Sequence, residues 1–224
     1  MSVAALLLAA GRGERLGGGG AKGLLELGGR PLLSYSVAAV DRATSIEAFV
    51  VAAPPGLEDA AKRAASSPKL LAVVVGGETR QASARAALDA VPQAFDAVVC
   101  HDVARPFAGP ELFDRVVAAL ATADGAVPAL PASDTVKVVE GEVVRETLPR
   151  HRLVVVQTPQ AFRRAAVEAA HRAAGGEGLE ATDDAALLER AGFRVVTVEG
   201  DPSNRKITVP DDLRWAEAML RADG

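Results

Sequence analysis

The sequence has 224 residues, about half of them apolar and few of them aromatic, so it is long enough for one domain with an aliphatic core. Its formal net charge is −4 and it contains no long basic run, which argues against nucleic acid as the main partner. The apolar run at residues 3–10 lacks a basic leader and is too short to span a bilayer. We therefore expect a buried strand there, no membrane partner and a cytoplasmic location. The single cysteine, Cys100, excludes an internal disulfide and is expected to be a buried small residue.

The first half of the sequence alternates strand-like and helix-like segments. Continuous aliphatic runs predict strands that are buried on both faces, and a proline or threonine opens several of the helical stretches. The predicted strands are 3–8, 49–52, 70–75 and 95–100, and the predicted helices are 32–42, 57–65, 79–88 and 110–121. This order predicts an α/β fold with a mainly parallel sheet and helices on both faces.

The pattern changes after Val127. Residues 135–139 and 143–144 flank the polar turn 140–142 and predict a hairpin with few core residues. An isolated hairpin is only marginally stable in water, so we expect a protruding β-arm that packs on a second copy of the chain. Beyond the arm, helices are predicted at 160–173, at 183–191 and from Pro210, with a strand at 194–198. No long linker divides the chain, so we expect a single domain, 1–224, in which 133–157 is an arm insertion for dimerisation.

The glycine-rich loop after the first strand is the most informative segment. It begins at residues 9–17, AAGRGERLG, and is followed by more glycines and Lys22. Open α/β sheets bind ligands at this place, and glycines let backbone N–H groups approach a phosphate closely. Arg15 and Lys22 add the positive charge that a triphosphate requires.

Three other interpretations of this loop fit less well. A Walker-type ATPase loop is excluded because Lys22 is followed by Gly23 rather than by Ser or Thr. A dinucleotide-binding loop is disfavoured because the gap before Gly17 is too long and no acidic residue ends the second strand. A flexible turn would explain the glycines but not the two cations among them.

Seven sequence motifs resemble those of known nucleotidyltransferases and together span nearly the whole chain. Residues 8–15, LAAGRGER, with a lysine seven residues later, resemble the signature loop of the sugar-nucleotide pyrophosphorylases and related nucleotidyltransferases. Residues 101–106, HDVARP, resemble the H-D-x-A-R-P motif of the 2-C-methyl-D-erythritol 4-phosphate cytidylyltransferase family and of the similar ribitol-5-phosphate cytidylyltransferases. The remaining segments resemble the first of these two families at 76–83 (GGETRQAS), 134–137 (DTVK), 157–160 (QTPQ), 182–185 (TDDA) and 204–211 (NRKITVPD).

The resemblance implies a Rossmann-like enzyme that transfers a cytidylyl group from CTP to 2-C-methyl-D-erythritol 4-phosphate, a step of the non-mevalonate isoprenoid precursor pathway. It implies three catalytic cations, which are Arg15, Lys22 and Lys206. The implied CTP-binding residues are Ala9, Ala10, Gly11, Gly13, Arg15, Lys22, Gly77, Glu78, Ser83, Asp102 and Val103. The implied acceptor-binding residues are Asp102, Arg105, Thr135, Arg150, Thr158 and Lys206.

The expected cofactor is Mg²⁺, held mainly by the phosphates of CTP and by water, with no direct protein ligand assigned. The resemblance further implies a homodimer in which Arg150 of one subunit completes the pocket of the other. His101 is given no acid–base role, because a structural, hydrogen-bonding histidine explains it at least as well.

Two alternative functions stay open from the sequence alone. The first is the same chemistry with ribitol 5-phosphate as the acceptor, since both acceptors need the same phosphate-binding cations. The second is a non-catalytic nucleotide-binding module. A protein that only binds a nucleotide does not need cations that stabilise a transition state. The presence of Arg15, Lys22 and Lys206 together therefore disfavours this alternative.

Overall fold

The computed structural model describes residues 1–11, 13, 21–178 and 181–222. Within these residues the strands are β1 (Val3–Leu8), β2 (Glu26–Leu27), β3 (Arg30–Pro31), β4 (Ala48–Ala53), β5 (Leu70–Val75), β6 (Ala97–Asp102), β7 (Gly125–Pro131), β8 (Lys137–Glu140), β9 (Val143–Thr147), β10 (Val154–Val156), β11 (Gln160–Arg163) and β12 (Val195–Glu199). The helices are α1 (Leu32–Arg42), α2 (Glu58–Ala64), α3 (Arg80–Asp89), α4 (Pro110–Ala119), α5 (Arg164–Glu177), α6 (Asp184–Arg190) and α7 (Pro210–Ala222). Two short 3-10 helices lie at Lys22–Leu24 and Arg150–Arg152.

The main sheet has the strand order β10-β7-β11-β6-β1-β4-β5, and β12 pairs with β7 in addition. Strand β1 runs parallel to both of its neighbours, β4 and β6, and β5 continues the parallel half of the sheet. Strand β11 is antiparallel to β6 and β7. The predicted α/β class with a mainly parallel sheet is confirmed. Because β1 and β6 are parallel and in register, Leu8 and Asp102 end side by side at one edge.

The core forms one layer on each face of this sheet. Along β1, alternate side chains enter different layers, with Val3, Ala5 and Leu7 on one face and Ala4, Leu6 and Leu8 on the other. The first layer packs under α1 and α4, and the second under α3, α5 and α6. Burial on both faces explains why the strand is aliphatic at every position rather than at every second one.

A smaller apolar cluster holds the segment that carries Lys206. Ile207 is fully buried against Leu27, Leu32 and Ala216, and its N–H donates to the carbonyl of Ala104 at 2.8 Å. This packing ties the segment before α7 to the end of β6.

The prediction of a helix from residue 160 is wrong at its start. Residues 160–163 form β11, which pairs with β6 in the register Gln160↔Cys100, and the helix begins only at Arg164. The run contains Phe162, which is fully buried in the second core layer. Burial against a neighbouring strand outweighed the helical pattern of the sequence.

Strands β7 and β10 were not predicted. Strand β7 contains Pro128 and Pro131, which cannot donate backbone hydrogen bonds and so obscure the strand pattern in the sequence. The strand persists because β10, β11 and β12 all pair with it.

The predicted arm is present as a hairpin of β8 and β9. All nine residues of the two strands are exposed, and four valines, Val138, Val139, Val143 and Val144, are between 42% and 58% exposed. Gly141 at the turn has φ +58°, a conformation that favours glycine. The hairpin thus exposes four valines that nothing described in its own chain covers.

Among the residues that the structure describes, no helix is long and apolar enough to cross a bilayer.

Candidate active site

The glycine-rich loop follows β1 at the carboxyl edge of the sheet and is held from two sides. The N–H of Ala9 donates to the carbonyl of Ala52 at 2.9 Å, and the N–H of Lys22 donates to the carbonyl of Gly11 at 2.9 Å. A side chain on Gly23 would lie only 2.7 Å from Cβ of Ala9, so glycine is required for this approach. The backbone at Lys22 and Gly23 is therefore held against Ala9 and Gly11 at the end of β1. Arg15 lies outside the described residues.

A second glycine turn, between β5 and α3, presses against this loop. A Cβ atom on Gly76 would lie 2.3 Å from Cβ of Ala10, and one on Gly77 would lie 2.4 Å from Cβ of Ala82. Thr79 caps the start of α3, because its hydroxyl accepts a hydrogen bond from the N–H of Ala82. The glycine pair thus brings the start of α3 next to Ala10 of the glycine-rich loop.

The two turns and the end of β6 enclose an open cavity of about 1090 Å³. Its walls contain most of the residues that the sequence assigns to CTP, together with Lys206. These lining residues are Ala9, Ala10, Gly11, Gly13, Lys22, Gly77, Glu78, Ser83, Asp102, Val103 and Lys206. Several segments far apart in the sequence therefore share one site, as the motifs predict.

Asp102 is the acidic centre of this cavity. Its Oδ2 accepts a hydrogen bond from Nζ of Lys206 at 2.6 Å, and its Oδ1 accepts one from Nε of Arg80 at 3.0 Å. Burial disfavours the carboxylate, but Arg80 and Lys206 together hold the pKa of Asp102 well below its usual range. Asp102 is consequently ionised at neutral pH and already paired with two cations.

Arg80 is a site residue for which the sequence analysis assigned no role. Its Nη1 donates to Oδ2 of Asp184 at 2.7 Å, in addition to its contact with Asp102. Burial opposes its charge, but the carboxylates of Asp102 and Asp184 raise the pKa of Arg80 above its usual value. The presence of an arginine inside the 76–83 motif could have pointed to Arg80 as a site residue. Its partner Asp184 could not be identified in this way, because it lies 104 positions further along the chain.

His101 faces the interior. It is fully buried, its ring lies 5.1 Å from that of Phe113, and its Nδ1 is 3.2 Å from the hydroxyl of Thr158. Burial lowers the pKa of His101 to about 3, so the ring is neutral at physiological pH. The geometry agrees with a structural histidine.

Arg105 and Thr158 lie behind the cavity wall, not on it. Arg105 donates to the carbonyls of Asn204 and Val156, at 2.9 and 3.4 Å, rather than pairing with Asp102. The hydroxyl of Thr158 is buried and accepts the N–H of Asp102 at 3.0 Å. Both residues brace Asp102 and the segment before Lys206, and their contacts with the acceptor stay predictions.

Thr135 and Arg150 do not line the cavity of their own chain. Both are exposed at the base of the arm, where Nη1 of Arg150 donates to the carbonyl of Ser133 at 2.9 Å. Their predicted contacts with the acceptor stay predictions.

A metal site made by the protein alone is not present among the residues that the structure describes, since no three His, Cys, Asp or Glu side chains cluster suitably. The carboxylates on the described cavity wall are Glu78 and Asp102, and both oxygens of Asp102 are engaged by cations.

The parallel sheet, the glycine loop and the cation-lined cavity at the strand ends define an α/β nucleotidyltransferase. A profile of the family described as 2-C-methyl-D-erythritol 4-phosphate cytidylyltransferase matches residues 3–222. The chain belongs to this family, and it is a cytidylyltransferase by class.

Curated relatives and solved structures agree with this assignment. The 2-C-methyl-D-erythritol 4-phosphate cytidylyltransferase of Frankia casuarinae is 47% identical over 97% of this chain and 81% of its own length. That of Thermus thermophilus is 44% identical over 99% of this chain and 98% of its own. A crystal structure of the Thermus thermophilus enzyme superposes with a TM-score of 0.81, at 40% identity, over 99% of this chain and all of that one. A 4-diphosphocytidyl-2C-methyl-D-erythritol synthase from Anaerococcus prevotii gives a TM-score of 0.87 at 30% identity, covering 98% and 96% of the two chains.

Proposed function

We propose that the protein transfers the cytidylyl group of CTP to 2-C-methyl-D-erythritol 4-phosphate and releases pyrophosphate. The single observation that carries the proposal is the cavity in which the glycine loop, Lys22 and the Asp102–Lys206 pair converge. Full-length similarity to relatives that bear this activity in their names supports the choice of substrates.

The proposed chemistry is one in-line displacement. An oxygen of the acceptor phosphate attacks the α-phosphorus of CTP, and the bond from that phosphorus to the bridging oxygen breaks, so pyrophosphate leaves with the electron pair. A phosphate monoester is ionised at neutral pH, so the nucleophile needs no general base. The protein must instead bring two polyanions together and stabilise the charge that grows in the transition state.

The described cations suit this task. Lys22 lines the cavity beside Gly11 and Gly13, and its backbone N–H is bonded to the carbonyl of Gly11. Lys206 has three N–H donors, so it can keep one on Asp102 and direct the others to phosphate oxygens. Arg15 is proposed to act with them, from the segment outside the described residues.

The proposed cofactor is Mg²⁺. Because Asp102 is engaged by two cations, the ion would be held by the phosphates of CTP and by water, which suits a cation that keeps several waters. When bound, it would neutralise charge on the phosphates that form pyrophosphate.

We also propose a cytoplasmic location, since the reaction uses CTP.

We further propose a homodimer formed through the arms. The exposed valines of β8 and β9, together with Val154 and Val155 at 50% and 58% exposure, leave apolar area open to solvent, and large exposed apolar area favours a protein–protein contact. A symmetric exchange of arms would cover it and bring Arg150 to the partner's cavity.

The test of the proposed function is pyrophosphate release across a panel of substrates. With CTP and Mg²⁺, 2-C-methyl-D-erythritol 4-phosphate should support turnover, whereas ribitol 5-phosphate should support much less. Addition of EDTA should abolish the turnover with 2-C-methyl-D-erythritol 4-phosphate. Replacing CTP by ATP should lower kcat/KM by on the order of 10³-fold, since a purine leaves the polar groups around Gly77 and Ser83 unpaired. Faster turnover with ribitol 5-phosphate would overturn the proposed acceptor, and efficient use of ATP would overturn the proposed base pocket.

A further inference from the structure

A line of side chains joined by ion pairs and hydrogen bonds runs from the cavity into the protein interior. It begins at Lys206 on the cavity wall, passes through Asp102, Arg80 and Asp184, and ends at His171 on α5. Successive side chains lie 2.6, 3.0, 2.7 and 2.9 Å apart. The side chains of Asp184 and His171 are only 2% and 3% exposed, so this end of the line is away from any substrate.

Each carboxylate in the line divides its two oxygens between two partners. Asp102 gives Oδ1 to Arg80 and Oδ2 to Lys206. Asp184 gives Oδ2 to Arg80 and Oδ1 to Nε2 of His171. Neither carboxylate can rotate without losing a contact, so the orientation of each is fixed by the next residue inwards.

Stability alone does not account for this arrangement. A buried ion pair recovers little more than the cost of its desolvation, and apolar side chains of similar volume are often as stable. Here the line connects α5, α6 and α3 to the end of β6, and it finishes on the lysine beside the proposed reaction site.

We propose that Arg80 and Asp184 are positioning residues, which hold the Asp102 carboxylate so that Lys206 is aimed into the cavity. The inference rests on the proposed function and deepens it. Arg80 binds Oδ1 of Asp102, so that Oδ2 of the same carboxylate points toward Lys206. Asp184, itself bonded to His171, fixes the plane of the Arg80 guanidinium.

The arginine fork is essential to this role. Arg80 uses Nε for one carboxylate and Nη1 for the other, so it serves two acceptors in two fixed directions. A lysine would keep the positive charge but offer a single nitrogen with no fixed plane. Arg80→Lys therefore separates orientation from charge.

The test compares kcat and KM in Asp184→Asn, Arg80→Lys, His171→Ala and His171→Gln, with sites counted by CTP binding. A misplacement of about 1 Å can cost on the order of 100-fold in rate, so Asp184→Asn and Arg80→Lys should lower kcat by that order with little change in the KM for CTP. His171→Gln can still place an N–H near Asp184, so it should recover much of the activity that His171→Ala loses.

Two controls match these variants. Glu168→Gln removes a carboxylate from the 2.8 Å pair with the buried Arg164, on the same helix as His171. Asp89→Asn removes one from the exposed pair with Arg85 on the helix that carries Arg80. Both should keep kcat per CTP-binding site within about twofold of wild type, because neither pair lines the cavity.

The pH profile supplies a readout that a merely structural role would not change. Asp102 is faced by the cations Arg80, Lys206 and Arg105, by the neutral His101 and by the hydroxyl of Thr158. Because Arg80 helps to lower the pKa of Asp102, Arg80→Gln should raise it, and activity should then fall on the acid side at a higher pH than in wild type.

The outcomes separate the two proposals. A wild-type protein without cytidylyl transfer would overturn the proposed function, and this inference with it. An active wild type in which Asp184→Asn and Arg80→Lys keep kcat within about twofold would overturn the positioning role alone. Loss of CTP-binding sites with unchanged kcat per site would also overturn it, because the residues would then serve folding only.

Discussion

Lys22→Ala is expected to lower kcat by on the order of 10²- to 10³-fold, with a smaller effect on CTP binding. The structure places Lys22 on the wall of the cavity, with its backbone fixed to Gly11. In the proposed chemistry its ammonium meets charge that grows during the displacement, so its contribution is largest in the transition state. Steady-state kinetics over a range of CTP and acceptor concentrations measure both quantities.

Lys62→Ala is the matched control, because Lys62 is an exposed lysine on α2 that does not line the cavity. It should behave as wild type. If Lys22→Ala raised the KM for CTP but left kcat unchanged, Lys22 would be a binding residue and not a stabiliser of the transition state.

Arg150→Ala and Lys22→Ala subunits, each nearly inactive alone, are expected to regain activity when mixed. Arg150 does not line the cavity of its own chain, and the proposed exchange of arms brings it to the partner's cavity. A heterodimer would then contain one site with both residues intact and one with neither. Random exchange in an equal mixture should restore about a quarter of the wild-type sites.

The control for this experiment is a mixture of two preparations of the same variant, which should gain nothing. Exchange of subunits is verified by native mass spectrometry of differently tagged chains. Activity that stays at the level of the separate variants after verified exchange would show that Arg150 acts within its own chain or not at all. A monomer in light scattering at assay concentration would refute the shared site directly.

Much of the fold was accessible from local sequence patterns. The bounds of β1 and α1 were predicted to the residue, because a continuous aliphatic run and a proline at the helix start are strong local signals. Strands β7 and β11 were missed because their strand character comes from their neighbours: β7 contains two prolines, and β11 reads as a helix start until it is paired with β6.

The candidate site was predictable to the extent that its residues lie in contiguous motifs. The described part of the glycine loop, Gly77, Asp102 and Lys206 all line one cavity, as their positions after strands suggested. The pairing of Arg80 with Asp184 was not predictable, because nothing local to either residue specifies a partner 104 positions away. For the same reason the sequence did not show that Arg105 and Thr158 brace the wall from behind.

The most direct test of the account follows the oxygen atoms of the acceptor phosphate. CTP is incubated with 2-C-methyl-D-erythritol 4-phosphate that carries ¹⁸O in its phosphate, and the products are analysed by ³¹P NMR and mass spectrometry. Direct attack on the α-phosphorus should give a cytidylylated product that keeps all of the label, with one labelled oxygen bridging the two phosphorus atoms, and pyrophosphate without label. Label in the pyrophosphate, or no labelled cytidylylated product, would contradict direct attack of the acceptor phosphate on the α-phosphorus of CTP.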